Sequence, residues 1–172
     1  VRTLINYPSY IAQEIVSKNN LKKETEEKTI LALIQWCSKN IYYQFDDKNY
    51  GSPEWWADSD IIIQKFIDDC DGKACAFKAL ALACDIPDYK VHIVAGWVKD
   101  PNNSNEPVGH AYPTYIFENK EYPCDPTYYP DWKTTFDKRK CLKEDENYNP
   151  LDKSIWWCFT KQYTFANRKT TI

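Results

Sequence analysis

The segment from Asp68 to Pro87, DDCDGKACAFKALALACDIP, constrains the fold more than any other stretch. Small apolar residues and good helix formers run from Ala74 to Cys84, and Ala74, Phe77, Ala81 and Cys84 recur at helical spacing. Ile86-Pro87 closes the segment, because a residue before proline is driven out of the α region. Three acids, Asp68, Asp69 and Asp71, surround Cys70 where this helix starts. A sulfur at that place meets free N–H groups and the positive end of the macrodipole, both of which favour the thiolate. The competing reading is one more buried thiol among seven, since free cysteine is among the most buried residue types.

The flanking patterns set the fold class. Upstream, a short helix is predicted over Tyr10–Ser17, broken by Asn19-Asn20. A second starts near Glu24, with Ile30, Leu33, Ile34, Cys37 and Ile41 on its apolar side. Ser52-Pro53-Glu54 predicts a cap followed by proline in a first turn, and Asp58-Ser59-Asp60 predicts a start running to Phe66. Downstream the period becomes two: Val91, Ile93, Ala95 and Trp97 alternate with their neighbours. Asp100–Pro107 reads as a polar loop. Ala111–Phe117 and Glu121–Cys124 read as a hairpin, and Ile155–Phe159 as a last strand. Helices first and antiparallel strands after them predict an α+β domain.

Composition narrows the partners. With 43% apolar residues the 172-residue chain has enough to bury a core, which predicts a single domain. A net charge of −3 counts against nucleic acid as the partner. No apolar run approaches the roughly 20 residues of a membrane span. The chain has no methionine, even at position 1, which predicts a domain excised from a longer protein, with any targeting module outside it. Seven cysteines without a C-x-x-C pair, beside two histidines, do not spell a zinc site. Three bridges plus one thiol and seven free thiols are both compatible with the count.

Cys70, His110 and Asp125 have the chemistry to act together, because a thiol nucleophile needs a base and the base needs an orienting partner. His110 lies in Gly109-His110-Ala111 at the mouth of the first hairpin strand, and Asp125 in Cys124-Asp125-Pro126-Thr127 at the end of the second. With Glu118-Asn119 as a two-residue turn, Asp125 falls opposite Tyr112 and diagonal to His110 on one face, at roughly 7–8 Å. A slip of one residue would send Asp125 to the other face. Pro113 predicts an edge position, since its nitrogen has no proton for a ladder.

The stretches DDCDGKACAFKALALACDIPDYKVHIVAGWV, GHAYPTYIF and CDPTYYP, in that order, resemble the transglutaminase-like superfamily, which shares the papain-like cysteine peptidase fold. The likeness covers roughly Tyr42 to Tyr128, with NIYYQFDD and the Trp55-Trp56 pair resembling the family's lead-in. Asp68 stands where the family has glycine, Asp85 replaces the glycine of Gly-Ile-Pro, and Tyr112 replaces a tryptophan. The resemblance implies helices packed on an antiparallel sheet, with Cys70 as nucleophile, His110 as base and Asp125 as orienting acid. It implies acyl transfer without a cofactor or metal, by a thiol peptidase hydrolysing a peptide or isopeptide bond; some members cleave cell-wall crosslinks. An amine acyltransferase of transglutaminase type and a non-catalytic binding module remain alternatives, and the intact set of three groups counts against the second. An oxyanion hole would use the Cys70 N–H and one of Trp36, Gln44, Trp55 or Trp56.

Other residues read more plainly. Cys37, Cys75, Cys84 and Cys158 sit in apolar contexts as core thiols, and packing is also the better reading of Cys124. His92 lies on a strand with no acid nearby and reads as a structural or surface histidine. The acids beside Cys70 read as helix caps in preference to a calcium site. The groove is expected to be lined by Asn102–Val108 and the aromatic C-terminal third.

Overall fold

The computed structural model describes residues 4–103, 106–148 and 155–166. Helices α1 (Tyr10–Lys18), α2 (Glu26–Asn40), α3 (Asp46–Tyr50), α4 (Ser59–Lys65) and α5 (Cys70–Ala83) come first. Two short parallel strands, β1 (Tyr42–Tyr43) and β2 (Ile67–Asp68), lie among them. An antiparallel sheet follows, built from β3 (Val91–Lys99), β4 (Pro107–Phe117), β5 (Lys120–Pro123), β6 (Ile155–Phe159) and β7 (Thr164–Ala166) in the spatial order β5-β4-β3-β6-β7. The expected α+β class is the observed one. Four helices start on side-chain caps: Ser9, Thr25, Asp58 and Asp69 each accept a hydrogen bond from an amide of the first turn.

Helix α5 is buried on all sides between the other helices and the sheet. Its small residues allow this, since Ala74, Ala76 and Ala79 have no exposed surface. Lys78 is also fully buried, and its ammonium is matched by the Asp88 carboxylate at 2.8 Å and by the carbonyl oxygens of Asp88 and Val91. The helix ends where Asp85 takes a left-handed conformation, φ 64°. That is the position of a glycine in the family pattern, and aspartate is among the few other residues that enter the region readily.

The hairpin follows its sequence. Glu118 and Asn119 both have positive φ, 47° and 61°, and Phe117 pairs with Lys120 and Thr114 with Pro123, as a two-residue turn requires. Pro113 is not on an edge strand: β4 lies between β5 and β3. Its nitrogen instead faces the place where β5 runs out. The Cys124 N–H donates to the Pro113 carbonyl at 2.8 Å, just past the last residue of β5, so no ladder bond is lost.

Two other expectations change, for Ser52 and for His92. Ser52-Pro53-Glu54 caps no helix. The segment is a series of bends, with the Ser52 hydroxyl donating to the Glu54 carbonyl and the Trp55 N–H donating to Asp46. The short α3 just before it was not predicted. Strand β3 does not alternate between core and solvent, because both of its faces are covered. Val91 and Ile93 face the helices, whereas Val94 and Val98 join Tyr112, Leu142 and Tyr148 in a second cluster. His92 does have an acid: its Nδ1 lies 2.9 Å from Glu121 Oε1, brought from β5 by the sheet. All seven cysteines are free thiols.

Candidate active site

Three elements meet at a cleft of about 430 Å³ lined by Cys70, His110, Ala111, Asp69, Asp71 and Glu54 together with the indoles of Trp56, Trp156 and Trp157. Cys70 is the first residue of α5, Asp69 being the cap. Gly72 makes room for the neighbouring acid: a Cβ there would lie 2.3 Å from Asp68 Cγ. On β4, His110 pairs with Gly96 of β3. The register of β3 against β6 shifts at Ala95/Gly96, which pair with Trp157 and Ile155 and leave Trp156 as the bulged residue. A bulge re-aims a side chain. Trp156 leans over Gly109, where a Cβ would come within 2.9 Å of its ring, and meets Trp97 edge to face at 5.0 Å.

His110 and Asp125 are in contact, both side chains being wholly buried. The imidazole Nε2 lies 2.7 Å from Asp125 Oδ2. Asp125 is an acceptor at both oxygens, from the Thr127 N–H at 2.7 Å and the Tyr148 hydroxyl at 3.2 Å. A carboxylate held this way takes the Nε2 proton as a hydrogen bond and leaves the lone pair at Nδ1. That Nδ1 is buried and has no hydrogen-bond partner among the described residues. The His110 ring is stacked on Tyr128 at 4.1 Å, 4° from parallel, with Tyr112 on the same ring at 5.7 Å.

The surroundings of Cys70 are acidic rather than basic. Burial first, then the Asp69 charge, pushes the thiol above its ordinary range; the Ala111 N–H, bonded to the sulfur, opposes this. Asp68 is lifted to about 6, by burial first, against hydrogen bonds from the Asp69 N–H and Tyr50. Asp69 and Asp71 are raised as well: Asp69 by burial and then the Asp46 charge, against hydrogen bonds with Asp71, and Asp71 by burial and then the charges of Asp69 and Asp46. None of these carboxylates is in an ion pair among the described residues. Asp69 does cap the helix, accepting from the Asp71 N–H at 3.2 Å. Capping leaves Asp46 Oδ1 and Asp71 Oδ1 unexplained, since both are buried without a hydrogen-bond partner among the described residues. Oxygens of Asp46, Glu54 and Asp71 lie within 4.8 Å of one another, a donor set that suits a hard cation.

Of the four upstream residues singled out in the sequence, only Trp56 lines the cleft. Gln44 points its amide at Asn49, Trp55 is exposed and leans on Tyr50, and Trp36 is buried against Phe66. In the loop Asn102–Val108, Ser104 and Asn105 lie outside the described residues. Sequence reasoning did not single out Tyr128, Tyr148, Trp156 or the buried Lys73, which sits one turn along α5 from Cys70. The one available signal was the position of Tyr128 directly after Asp125-Pro126-Thr127.

Several solved structures share this fold. Calcium-bound LapG of Legionella pneumophila superposes with a TM-score of 0.63 at 14% identity, over 94% of this chain and 79% of that one. A provisionally assigned cysteine protease from Cytophaga hutchinsonii gives 0.55 at 18% identity, over 94% of this chain and 50% of that one. A TGase gives 0.50 at 15% identity, over 79% of this chain and 35% of that one. The fold is transglutaminase-like. No protein-family model matches the sequence, and no curated protein does. At these identities the likeness speaks for the fold alone. Within the transglutaminase-like fold of this chain, the helix that starts on Cys70 and the strand that carries His110 form the two walls of the cleft.

Proposed function

We propose that this protein is a cysteine-nucleophile acyl-transfer enzyme, a thiol hydrolase of peptide or isopeptide bonds. The observation that carries the reading is the His110–Asp125 contact of 2.7 Å, with an unpartnered Nδ1 in the cleft that holds Cys70. Cys70 is the nucleophile, His110 the base and Asp125 the group that orients it. The thiol rests protonated because of its burial first and the Asp69 charge second, and Nδ1 takes the proton as the sulfur–carbon bond forms. His110 then gives that proton to the leaving amine as the carbon–nitrogen bond breaks. A water molecule enters, its proton passes to Nδ1, and attack on the acyl carbon releases the carboxylic acid and restores the thiol.

LapG has been solved with calcium bound. The two orphaned carboxylate oxygens fit such an ion here, with Asp46, Glu54 and Asp71 as the residues that would hold it. A bound cation would supply neutralisation of the negative charge beside Cys70.

The test is to incubate wild type and Cys70→Ala with a complex peptide mixture containing a primary-amine probe, with and without calcium, and to read products by mass spectrometry. New peptide termini that appear only with wild type are the expected result. Incorporation of the amine without cleavage would favour the transferase. No Cys70-dependent product of either kind would overturn the enzyme reading and return the binding module.

A further inference from the structure

A histidine that takes a proton at Nδ1 must keep its other proton on Nε2, and the group bonded to Nε2 sets which tautomer forms. Here that group is the Asp125 carboxylate, so the way the carboxylate is held decides whether His110 can serve as a base. Its two oxygens meet three donors. The Thr127 N–H is on Oδ1 at 2.7 Å, while His110 Nε2 and the Tyr148 hydroxyl share Oδ2 at 2.7 and 3.2 Å. The Thr127 bond is local, from two residues along the chain. An Asp carboxyl anchored at one oxygen still turns about a soft torsion, and a second anchor on the other oxygen stops it. Tyr148 supplies that anchor from 23 residues away. Its bond is longer than the imidazole's, so it steers Oδ2 without taking it from His110.

The tyrosine is itself fixed. It is buried, with its ring 4.7 Å from Tyr112 and 5.7 Å from Tyr129, in the cluster that Val94, Val98 and Leu142 complete. The segment 142–147 before it is tied to the sheet at both ends. The Leu142 N–H donates to the Glu121 carbonyl at 2.7 Å, and the Lys99 N–H to the Asn147 carbonyl at 2.8 Å. Burial first, then the Asp125 charge, raises the Tyr148 hydroxyl well above its ordinary value and keeps it a donor. A buried tyrosine hydroxyl needs a partner, and this one finds it on the oxygen that His110 uses.

We infer that Tyr148 is a positioning residue of this site, whose hydroxyl locks the Asp125 carboxylate and through it keeps His110 in the tautomer with a free Nδ1. The consequence for catalysis rests on the acyl-transfer reading above; the hold on the tautomer does not.

The chain has only two histidines, so the imidazole nitrogens can be read singly in long-range ¹H–¹⁵N spectra, with His92→Gln to assign them. Spectra are recorded at about pH 8.5, where imidazoles are ordinarily neutral, on wild type, Tyr148→Phe and Asp125→Asn. Wild type is expected to carry its His110 proton on Nε2. Tyr148→Phe removes the hydroxyl and keeps the ring, and is expected to show a mixture with the Nδ1-protonated form, Asp125→Asn marking the full loss. Alkylation of Cys70 by iodoacetamide, read by mass spectrometry, is expected to slow about 10-fold in Tyr148→Phe, the worth of one hydrogen bond. A wild-type tautomer in Tyr148→Phe would overturn the assignment, even with a lower melting temperature, and leave Tyr148 a packing residue. A second measurement needs no variant: a Tyr148 hydroxyl proton that exchanges with water as fast as that of the exposed Tyr10 would overturn it too. If His110→Ala alkylates at Cys70 like wild type, the enzyme reading falls and the catalytic role of Tyr148 with it, while the tautomer still reports the hold.

Discussion

The two halves of α5 bury charge in opposite ways. Near its C-terminal end, Lys78 is fully enclosed yet matched by a carboxylate and two carbonyl oxygens. At its N-terminal end, Asp68, Asp69 and Asp71 crowd Cys70 with no basic partner among the described residues, where two carboxylate oxygens of the same cluster, on Asp46 and Asp71, also find no hydrogen bond. A buried charge that is fully partnered holds elements together. One left unpartnered costs stability and persists where something else, a reaction or a ligand, uses it. The same helix is therefore a strut at one end and carries the candidate site at the other.

The largest test of that contrast exchanges activity for stability. Cys70→Ala is expected to abolish acyl transfer with the melting temperature unchanged. Lys78→Met should lose about 3 kcal/mol, a fall of about 6–12 °C, because it strands two carbonyls and Asp88 inside the fold. If Cys70→Ala retains activity or Lys78→Met melts like wild type, the contrast is broken. Asp125→Asn comes next: a loss of about 10³–10⁴-fold in rate is expected, since the amide no longer holds His110 in the tautomer with a free Nδ1. Steady-state kinetics, with circular dichroism as the folding control, measure it.

Calcium should act only at the acidic end. At a concentration of one hundred times Kd it would stabilise the chain by about 2.7 kcal/mol, about 5–11 °C, and Asp46→Asn should abolish that shift. Calorimetry showing no calcium-dependent shift in wild type would remove the cation from the reading.

The smallest effects are those of pH, and they have opposite signs at the two ends. Asp68 is raised to about 6, so its contribution is full below its unfolded value near 4 and is lost as pH climbs through about 6. Asp88 is held below 3.8: burial lifts it, but the Lys78 hydrogen bond and charge, with the Lys161 N–H, outweigh that. Its contribution is present above about pH 4 and is lost as pH falls through the lower folded value. In chelator, Asp68→Asn should flatten the stability curve between about pH 4 and 6, and Asp88→Asn should flatten it below about pH 4. Thermal melts across pH 3 to 7 would contradict this if either variant altered the other's window.

Local signals carried much of the fold. The positions that start and stop α1, α4 and α5 are readable because a capping side chain or a proline acts on its own neighbours. The Glu118-Asn119 turn is readable for the same reason, and with it the register that brings Asp125 to the face of His110. Where reading failed, the cause lay across the chain. Ser52 caps no helix because the Trp55 amide is taken by Asp46, and His92 meets Glu121 only because β4 lies next to β5 in the turn's register.

By itself, then, the sequence determined where the nucleophile candidate sits on its helix and which two residues could stand behind it, since both follow from periodicity and a tight turn. The tertiary structure alone decided what surrounds them: the Tyr128 stack on His110, the Tyr148 bond to Asp125, the bulge that turns Trp156 into the cleft, and the collection of Asp46, Glu54 and Asp71 about one point. Those contacts join residues far apart in the chain, and their distances are set by how α5 packs against β4, which no local pattern encodes.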